Sequence, residues 1–159
     1  MPGDDRRRLV PDRFEVPREL SARGFHLVPL GPEHNEADHA AWSSSIDHIR
    51  ATPGFTCRDW PRPMSLEQNL GDLERHAADV ADRAGFTYTV LDDDGTVIGC
   101  VYIYPARSPE SDGADADVRS WVSAAHAARD ADLYRAVRDW LADAWPFATV
   151  RYASRPDVD

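Results

Sequence analysis

The stretch FTYTVLDDDGTVIGCVYIYP, residues 86–105, decides the fold. Phe86, Tyr88 and Val90 alternate with Thr87 and Thr89, Asp92-Asp93-Asp94-Gly95 is rich in turn formers, and Val97 to Tyr104 is an almost unbroken β-branched and aromatic run. That pattern predicts a β-hairpin. Its second arm carries apolar residues on both alternating faces (Val97, Cys100, Val101, Tyr102, Ile103), which suits a central strand covered on both sides.

Downstream of the hairpin, 106–116 reads as a Ser/Pro/Gly/Asp-rich linker and Asp117 to Ser123 as a strand. A helix is expected from Asp132, its N-cap, with Leu133, Val137, Trp140, Leu141 and Ala144 on one face before Pro146. Ala148 to Tyr152 is a short last strand. Upstream, Phe25 to Leu30 predicts a first strand that lies at an edge or stops at Pro29. Glu33 to Arg50, with His39, Trp42, Ile46 and Ile49 at steps of three and four, predicts an amphipathic helix. The linker 51–64 holds Pro53-Gly54, Pro61 and Pro63 yet also Phe55, Cys57 and Trp60, so it either folds onto the core or lines a binding site. Ser65-Leu66-Glu67-Gln68 is a capping box. Leu66, Leu70, Leu73, Ala77, Val80 and Ala84 follow at helical spacing, with Gly85 as the left-handed stop.

At 159 residues the chain reads as one α/β domain, residues 1–13 forming a flexible leader. The element order predicts a mixed sheet flanked by helices, closing in a parallel strand–helix–strand unit. A net charge of −10 argues against nucleic acid and anionic membranes as partners and favours a cationic small molecule. All 18 basic residues are arginine, which excludes Schiff-base chemistry on a lysine. Cys57 and Cys100 read as reduced thiols of a cytoplasmic protein, Cys100 as a small buried hydrophobe. Arg6-Arg7-Arg8 lacks the apolar segment that an export signal needs after its arginines, and no apolar run reaches membrane-spanning length. His34, His39 and His48 with Glu36 and Asp38 have neither a cysteine pair nor an HExxH spacing, so no metal is expected. The acidic runs Asp92–Asp94 and Asp112–Asp117 read as solvated turns without calcium-loop spacing.

The element order, the pattern around Val97 to Gly99, and a strand ending in Trp121-Val122 before a loop into a helix together resemble the GNAT (GCN5-related N-acetyltransferase) superfamily over residues 24–152. The resemblance implies a GNAT-like, mostly antiparallel sheet whose last two strands splay apart around the acyl-pantetheine arm of acetyl-CoA. It implies a pyrophosphate held by the loop after Val122 at a helix N-terminus, where backbone N–H groups and the helix dipole favour anions. Carried over residue by residue, it assigns Val122, Ser123, His126, Arg129, Asp132 and Leu133 to cofactor binding. Tyr104, Asp117 and Tyr134 become the catalytic candidates, the two phenols as acids for the leaving thiolate. The loop itself, Ala124 to Asp132, has no glycine and carries Asp130 and Asp132, and only Ala153 to Asp159 follows the last strand read.

Two readings follow. One is an N-acyltransferase moving an acetyl group from acetyl-CoA to a small-molecule amine. The other is a non-catalytic binding or regulatory module of the same fold. A gap between the last two strands that is free of side chains favours the first, and one plugged by Trp121, Tyr134 or Trp145 opposes it. A homodimer is the assembly to test, with Trp140 or Trp145 as its contact residues.

Overall fold

The computed structural model describes residues 8–106, 113–156 and 158. A single six-stranded sheet runs through it in sequence order: β1 (Leu20–Ala22), β2 (Phe25–Pro29), β3 (Phe86–Asp92), β4 (Val97–Pro105), β5 (Ala116–Val122) and β6 (Val150–Tyr152). All neighbours are antiparallel except β5 and β6, which are parallel. The hairpin is present with the expected turn, and β4 lies between β3 and β5. Asp92 closes the turn by accepting from the N–H groups of Asp94 and Thr96 through Oδ1, both at 2.9 Å.

Helices α1 (Asn35–Ser43), α2 (Ile46–Arg50) and α3 (Leu66–Ala81) lie between β2 and β3, and α4 (Asp130–Ala144) joins β5 to β6. On one face of the sheet Phe25, Leu27, Phe86, Tyr88, Val90, Ile98, Val101, Ile103, Val118 and Val122 pack against Leu133, Val137, Trp140 and Leu141 of α4. On the other, Leu30, Val97, Cys100 and Trp121 meet Trp42 of α1, Ile49 of α2, Leu73 of α3 and Phe55 from the loop 51–64. Val97 and Cys100, three residues apart, share a side because of a bulge. Leu91 pairs with Val97 and Val90 with Gly99, leaving Ile98 without an opposite residue. A bulge inserts one residue and reverses the alternation beyond it, so Tyr102 and Tyr104 face the three N-terminal helices instead of α4. Gly99 is needed here, since a Cβ would come within 2.3 Å of the Trp121 carbonyl oxygen.

Several expectations are corrected. The helix predicted over Glu33–Arg50 is a 3₁₀ turn (Pro32–His34) followed by α1 and α2, broken at Ser44-Ser45. Ser44 causes part of the break, its hydroxyl bonding back to the carbonyls of Ala40 and Ala41. The capping box at Ser65 is present, both reciprocal bonds being 3.0–3.1 Å. At its other end α3 stops earlier than predicted. Arg83, at φ 57, is the left-handed residue, and the N–H groups of Arg83 and Ala84 bond to Val80 and Asp79 in a Schellman closure. An arginine tolerates this conformation because its guanidinium is anchored on the carbonyls of Pro11 (2.6 Å) and Phe14 (2.7 Å). Gly85 serves space instead, as a Cβ there would lie 2.3 Å from the Tyr104 ring.

The strand after the linker begins at Ala116 and ends at Val122, and the last strand starts at Val150. Helix α4 starts at Asp130 after a 3₁₀ segment (Ala124–Arg129), so Asp132 is not the N-cap. It lies in the first turn, where its carboxylate accepts from Arg135 at 3.3 Å. Strand β1 escaped prediction because three residues carry no periodicity; the Arg23-Gly24 turn that folds it onto β2 was its one signal. Residues 8–13 are no loose leader: Val10 is buried and Leu9 donates to the Arg83 carbonyl at 2.9 Å. Residues 1–7 of that predicted leader, and 107–112 of the linker with Asp112, lie outside the described residues. Asp115 is not merely a solvated turn residue, since Oδ2 accepts from the N–H groups of Ala148 (2.7 Å) and Thr149 (3.2 Å) and seats the entry to β6. Trp140 and Trp145 are core residues packed on Tyr88 and on each other, not a surface patch.

Candidate active site

Helix α3 turns an unusual face to the sheet. Its inward stripe is Asn69, Asp72, Leu73, His76 and Asp79, at steps of three and four, while the predicted apolar position Leu66 is exposed. This stripe, Asp38 of α1, the loop residues Phe55, Arg58 and Trp60, and Tyr102, Tyr104 and Arg119 from the sheet enclose a cavity of about 310 Å³. The loop 51–64 therefore both docks and lines: Phe55 is buried, and Trp60 packs on Trp42, Tyr102 and Trp121 at ring distances of 5.6–6.3 Å.

Asn69 ties the floor together. Its Oδ1 accepts from Trp42 Nε1 at 3.1 Å, and its Nδ2 donates to Asn35 Oδ1 at 2.9 Å and Asp38 Oδ2 at 3.1 Å. Burial pushes Asp38 up to about 6, the Asn69 hydrogen bond and the nearby His34 and His39 only partly opposing it. Burial likewise raises the Cys100 thiol and the Tyr102 phenol well above their ordinary values. Cys100 is thus inert packing, as its mid-strand position implied.

Tyr104 lines the wall at the exit of β4. Its O–H donates to Asp79 Oδ2 at 2.8 Å, and its oxygen lies 2.7 Å from His76 Nδ1, which is also 3.2 Å from Thr87 Oγ1. With the phenolic proton directed at Asp79, the Tyr104 oxygen accepts, so Nδ1 of His76 carries the ring proton and Nε2 keeps its lone pair. Burial first, then neighbouring Arg75, holds His76 below its ordinary value, which leaves the imidazole neutral near pH 7. Burial and the bond to Asp79 raise Tyr104 and keep it a phenol.

The other catalytic candidates lie apart from this cluster. Asp117, on the same face one strand over, lines a neighbouring groove of about 690 Å³ with Arg58, Arg119 and Arg151. Its carboxyl is raised by burial, with Arg151 and Arg58 pulling it down. Tyr134 belongs to α4 on the opposite face and packs on Tyr152 at 4.7 Å between ring centroids. His39 and His34 are spent on backbone: His39 Nε2 donates to the Met64 carbonyl at 2.7 Å, and His34 Nδ1 accepts from Gly31 at 3.0 Å. Among the described residues no three His, Cys, Asp or Glu side chains converge on a metal position.

β6 pairs with β5 only through Ala116–Val118, so Arg119–Val122 run on past its end and leave a gap beside them. That gap is not free of side chains. Arg155, 4% exposed, enters it and donates to both carboxylate oxygens of Asp130 (Nε 2.7 Å, Nη2 3.4 Å), to the Ser120 carbonyl (2.9 Å) and hydroxyl (3.2 Å), and to the carbonyls of Ala153 and Pro53. Its guanidinium lies 5.6–5.7 Å from the ring centroids of Tyr134 and Tyr152, and Tyr152 hydrogen-bonds the Ser120 hydroxyl. Of the three residues predicted as plugs, Tyr134 alone borders the filling, while Trp121 and Trp145 lie elsewhere in the two cores.

The cofactor candidates of the following loop are engaged within the protein. Val122 is buried opposite Gly99, and the Ser123 N–H donates to the Ile98 carbonyl at 2.8 Å. Ser123 Oγ and His126 Nδ1 bond at 2.8 Å, and the Ala124 N–H donates to Ser45 Oγ at 2.8 Å. Arg129 lays its guanidinium over Gly24, where even a Cβ would collide with it. Leu133 is core. In this arrangement the cleft holds Arg155, the N–H groups of Ser123, Ala124 and His126 are already bonded, and Asp130 places a carboxylate in the first turn of α4, so an acyl-CoA enters only where Arg155 gives up the cleft.

Comparison with solved structures shows which known proteins share the fold. A protein from Vibrio cholerae assigned as a ribosomal-protein-serine acetyltransferase aligns over 93% of this chain and 77% of its own, at 11% identity and a TM-score of 0.64. The ribosomal-protein α-N acetyltransferase RimL in complex with coenzyme A aligns over 80% and 65%, at 12% identity and 0.60. The microcin C7 self-immunity acetyltransferase MccE with acetyl-CoA and AMP aligns over 77% and 63%, at 10% identity and 0.57. The chain spans just under two thirds of the latter two. No family model and no curated protein matches the sequence itself. The chain has the fold of the GCN5-related N-acetyltransferases, as the hairpin and the strand–helix–strand unit implied.

Proposed function

We propose that the chain is a GNAT-type N-acyltransferase that takes an amine in the cavity under β4 and acetyl-CoA as donor. The observation that carries this reading is the His76–Tyr104–Asp79 cluster. An amine attacks a carbonyl only as the free base, and a neutral imidazole with Nε2 unprotonated on the cavity wall removes that proton. Tyr104 positions the ring and fixes its tautomer; Asp79 fixes Tyr104. A cavity of about 310 Å³ walled by Trp60 and Phe55 fits a small-molecule amine. Two of the similar structures are of proteins described as ribosomal-protein acetyltransferases, so a protein N-terminus is the competing acceptor. Two free thiols, one exposed, agree with the cytoplasmic setting that belongs to this reading.

Arg155 favours a second reading, a binding module of the same fold that does not use acyl-CoA. Calorimetric titration with acetyl-CoA separates them, using the wild type, Arg155→Ala, and Asp130→Asn as the milder variant. Micromolar binding to the wild type supports the enzyme, and His76→Gln then lowers kcat by about 10²–10⁴-fold, the usual worth of a general base. No heat from wild type or either variant removes the donor and leaves the second reading.

A further inference from the structure

We infer that the amine taken by this cavity carries a carboxylate, and that Arg119 reads it. The inference rests on the cavity being the acceptor site, as proposed above, and deepens it by naming the substrate class. Arg119 lies on β5 opposite Tyr102, with Asp117, the partner of Tyr104, two residues away. Its guanidinium is 5.9 Å from the Phe55 ring centroid, and its stem is held against Gly54, where a Cβ would lie 3.2 Å from Cγ. Arg119 borders both the inner cavity and the outer groove. Yet Nη1 is enclosed and finds no hydrogen-bond acceptor among the described residues.

That is costly for a guanidinium N–H. Leaving a charged donor unmet forfeits the stronger class of hydrogen bond. The same strand shows how this protein treats an arginine whose role is structural: Arg155, beside Ser120 on the opposite face, has acceptors for Nε, Nη1 and Nη2. Arg119 is held by packing on an aromatic ring instead, with Nη1 unmet. A planar fork matches a carboxylate through two parallel bonds.

The cavity also has a second pole. Asp72 and Asp79 of α3 lie with His76 in the wall that Tyr104 joins, so an ammonium is met there by carboxylates and by the Nε2 lone pair. On an antiparallel pair, diagonal neighbours such as Arg119 and Tyr104 stand about 7–8 Å apart. One small zwitterion spans from the Arg119 fork to the Tyr104–His76 cluster, with its carboxylate at the first and its amine at the second. The class is an α-amino acid or an amine of similar size bearing an acidic group.

Calorimetry with three matched probes tests this: L-leucine, L-leucinamide, which lacks the carboxylate, and 3-methylbutylamine, which lacks any acyl group. L-leucine should bind at least about tenfold tighter than the other two, and Arg119→Met should erase that preference while leaving the amide unchanged. Arg119→Lys keeps the charge without the fork, should recover only part of the preference, and serves if the Met variant does not fold. Equal binding of the three probes overturns the inference, as does a preference that survives Arg119→Met or no binding of any probe. Leucinamide bound more tightly than leucine overturns it in favour of a peptide-like acceptor. A preference for leucine in a protein that ignores acetyl-CoA leaves this inference standing and removes the donor instead.

Discussion

On the α4 side of the sheet, Phe86, Tyr88, Ile103 and Val118 meet Leu133, Val137, Trp140 and Trp145, and the contact is apolar and dense with rings. On the other side Thr87, Thr89, Cys100 and Tyr102 meet Asp38, Asn69 and His76, and buried polar groups outnumber what packing needs. The difference lies in the helices. Helix α4 is apolar toward the sheet at every inward position, whereas α3 puts only Leu73 among Asn69, Asp72, His76 and Asp79. A polar stripe aimed at a sheet costs stability unless each group finds a partner. The protein accepts that burden on the face where a cavity and a basic nitrogen are formed, and seals the other.

If the apolar face is the one that holds the sheet together, Trp140→Ala should have the largest effect. Its ring packs at 5.2 Å on Tyr88 and 5.3 Å on Trp145, and its truncation should cost about 3–5 kcal/mol in urea unfolding. A loss below about 1 kcal/mol would show that this face is not sealed.

The polar face should carry a pH signature. Asp38 is raised from 3.8 to about 6, so the folded state binds the extra proton. Its contribution is complete below pH 4 and is lost as pH rises through 6, by about 3 kcal/mol. His76 is lowered and carries the opposite slope: its contribution is complete above its ordinary value of 6.5 and fades as pH falls. Asp38→Asn should therefore flatten the loss between pH 4 and 6 and stabilise the protein at pH 7 by about 2 kcal/mol. An unchanged pH profile from this variant would mean that Asp38 is solvated and the floor of the cavity is wet.

A smaller effect sharpens the comparison at the seam between loop and cavity. Gly85→Ala drives a methyl into the Tyr104 ring, an overpacking worth about 1–2 kcal/mol. Because Tyr104 orients His76, acid–base titration of His76 followed by NMR should shift in this variant. A full-strength stability loss without any shift at His76 would separate packing from positioning.

The hairpin, the order of elements and the capping box at Ser65 were legible because each is a local pattern: alternation, turn chemistry, a reciprocal three-residue spacing. Tyr104 was found by its place at a strand exit. His76 and Asp79 were also written locally, as a polar stripe through a helix, but the leucines at Leu66 and Leu70 drew the inward face to the wrong side. In the sequence Arg119 is only one charge in a strand, since its orphaned nitrogen depends on what the loop 51–64 covers. Arg155 had no local sign at all. Its partners Ser120 and Asp130 lie 35 and 25 residues away in sequence, and the gap it fills exists only because β6 ends at Tyr152 while β5 runs on.

The two thiols divide the molecule in a way chemistry can read out. Cys57 is exposed in the loop that roofs the cavity, while Cys100 is wholly enclosed beneath it, its ionisation suppressed by burial. Under a thiol reagent the first residue modifies at the pace of an open chain, and the second only during excursions that part the roof and helices from the sheet. The ratio of the two labelling rates is then a direct gauge of how often this face breathes, taken on the native protein without denaturant.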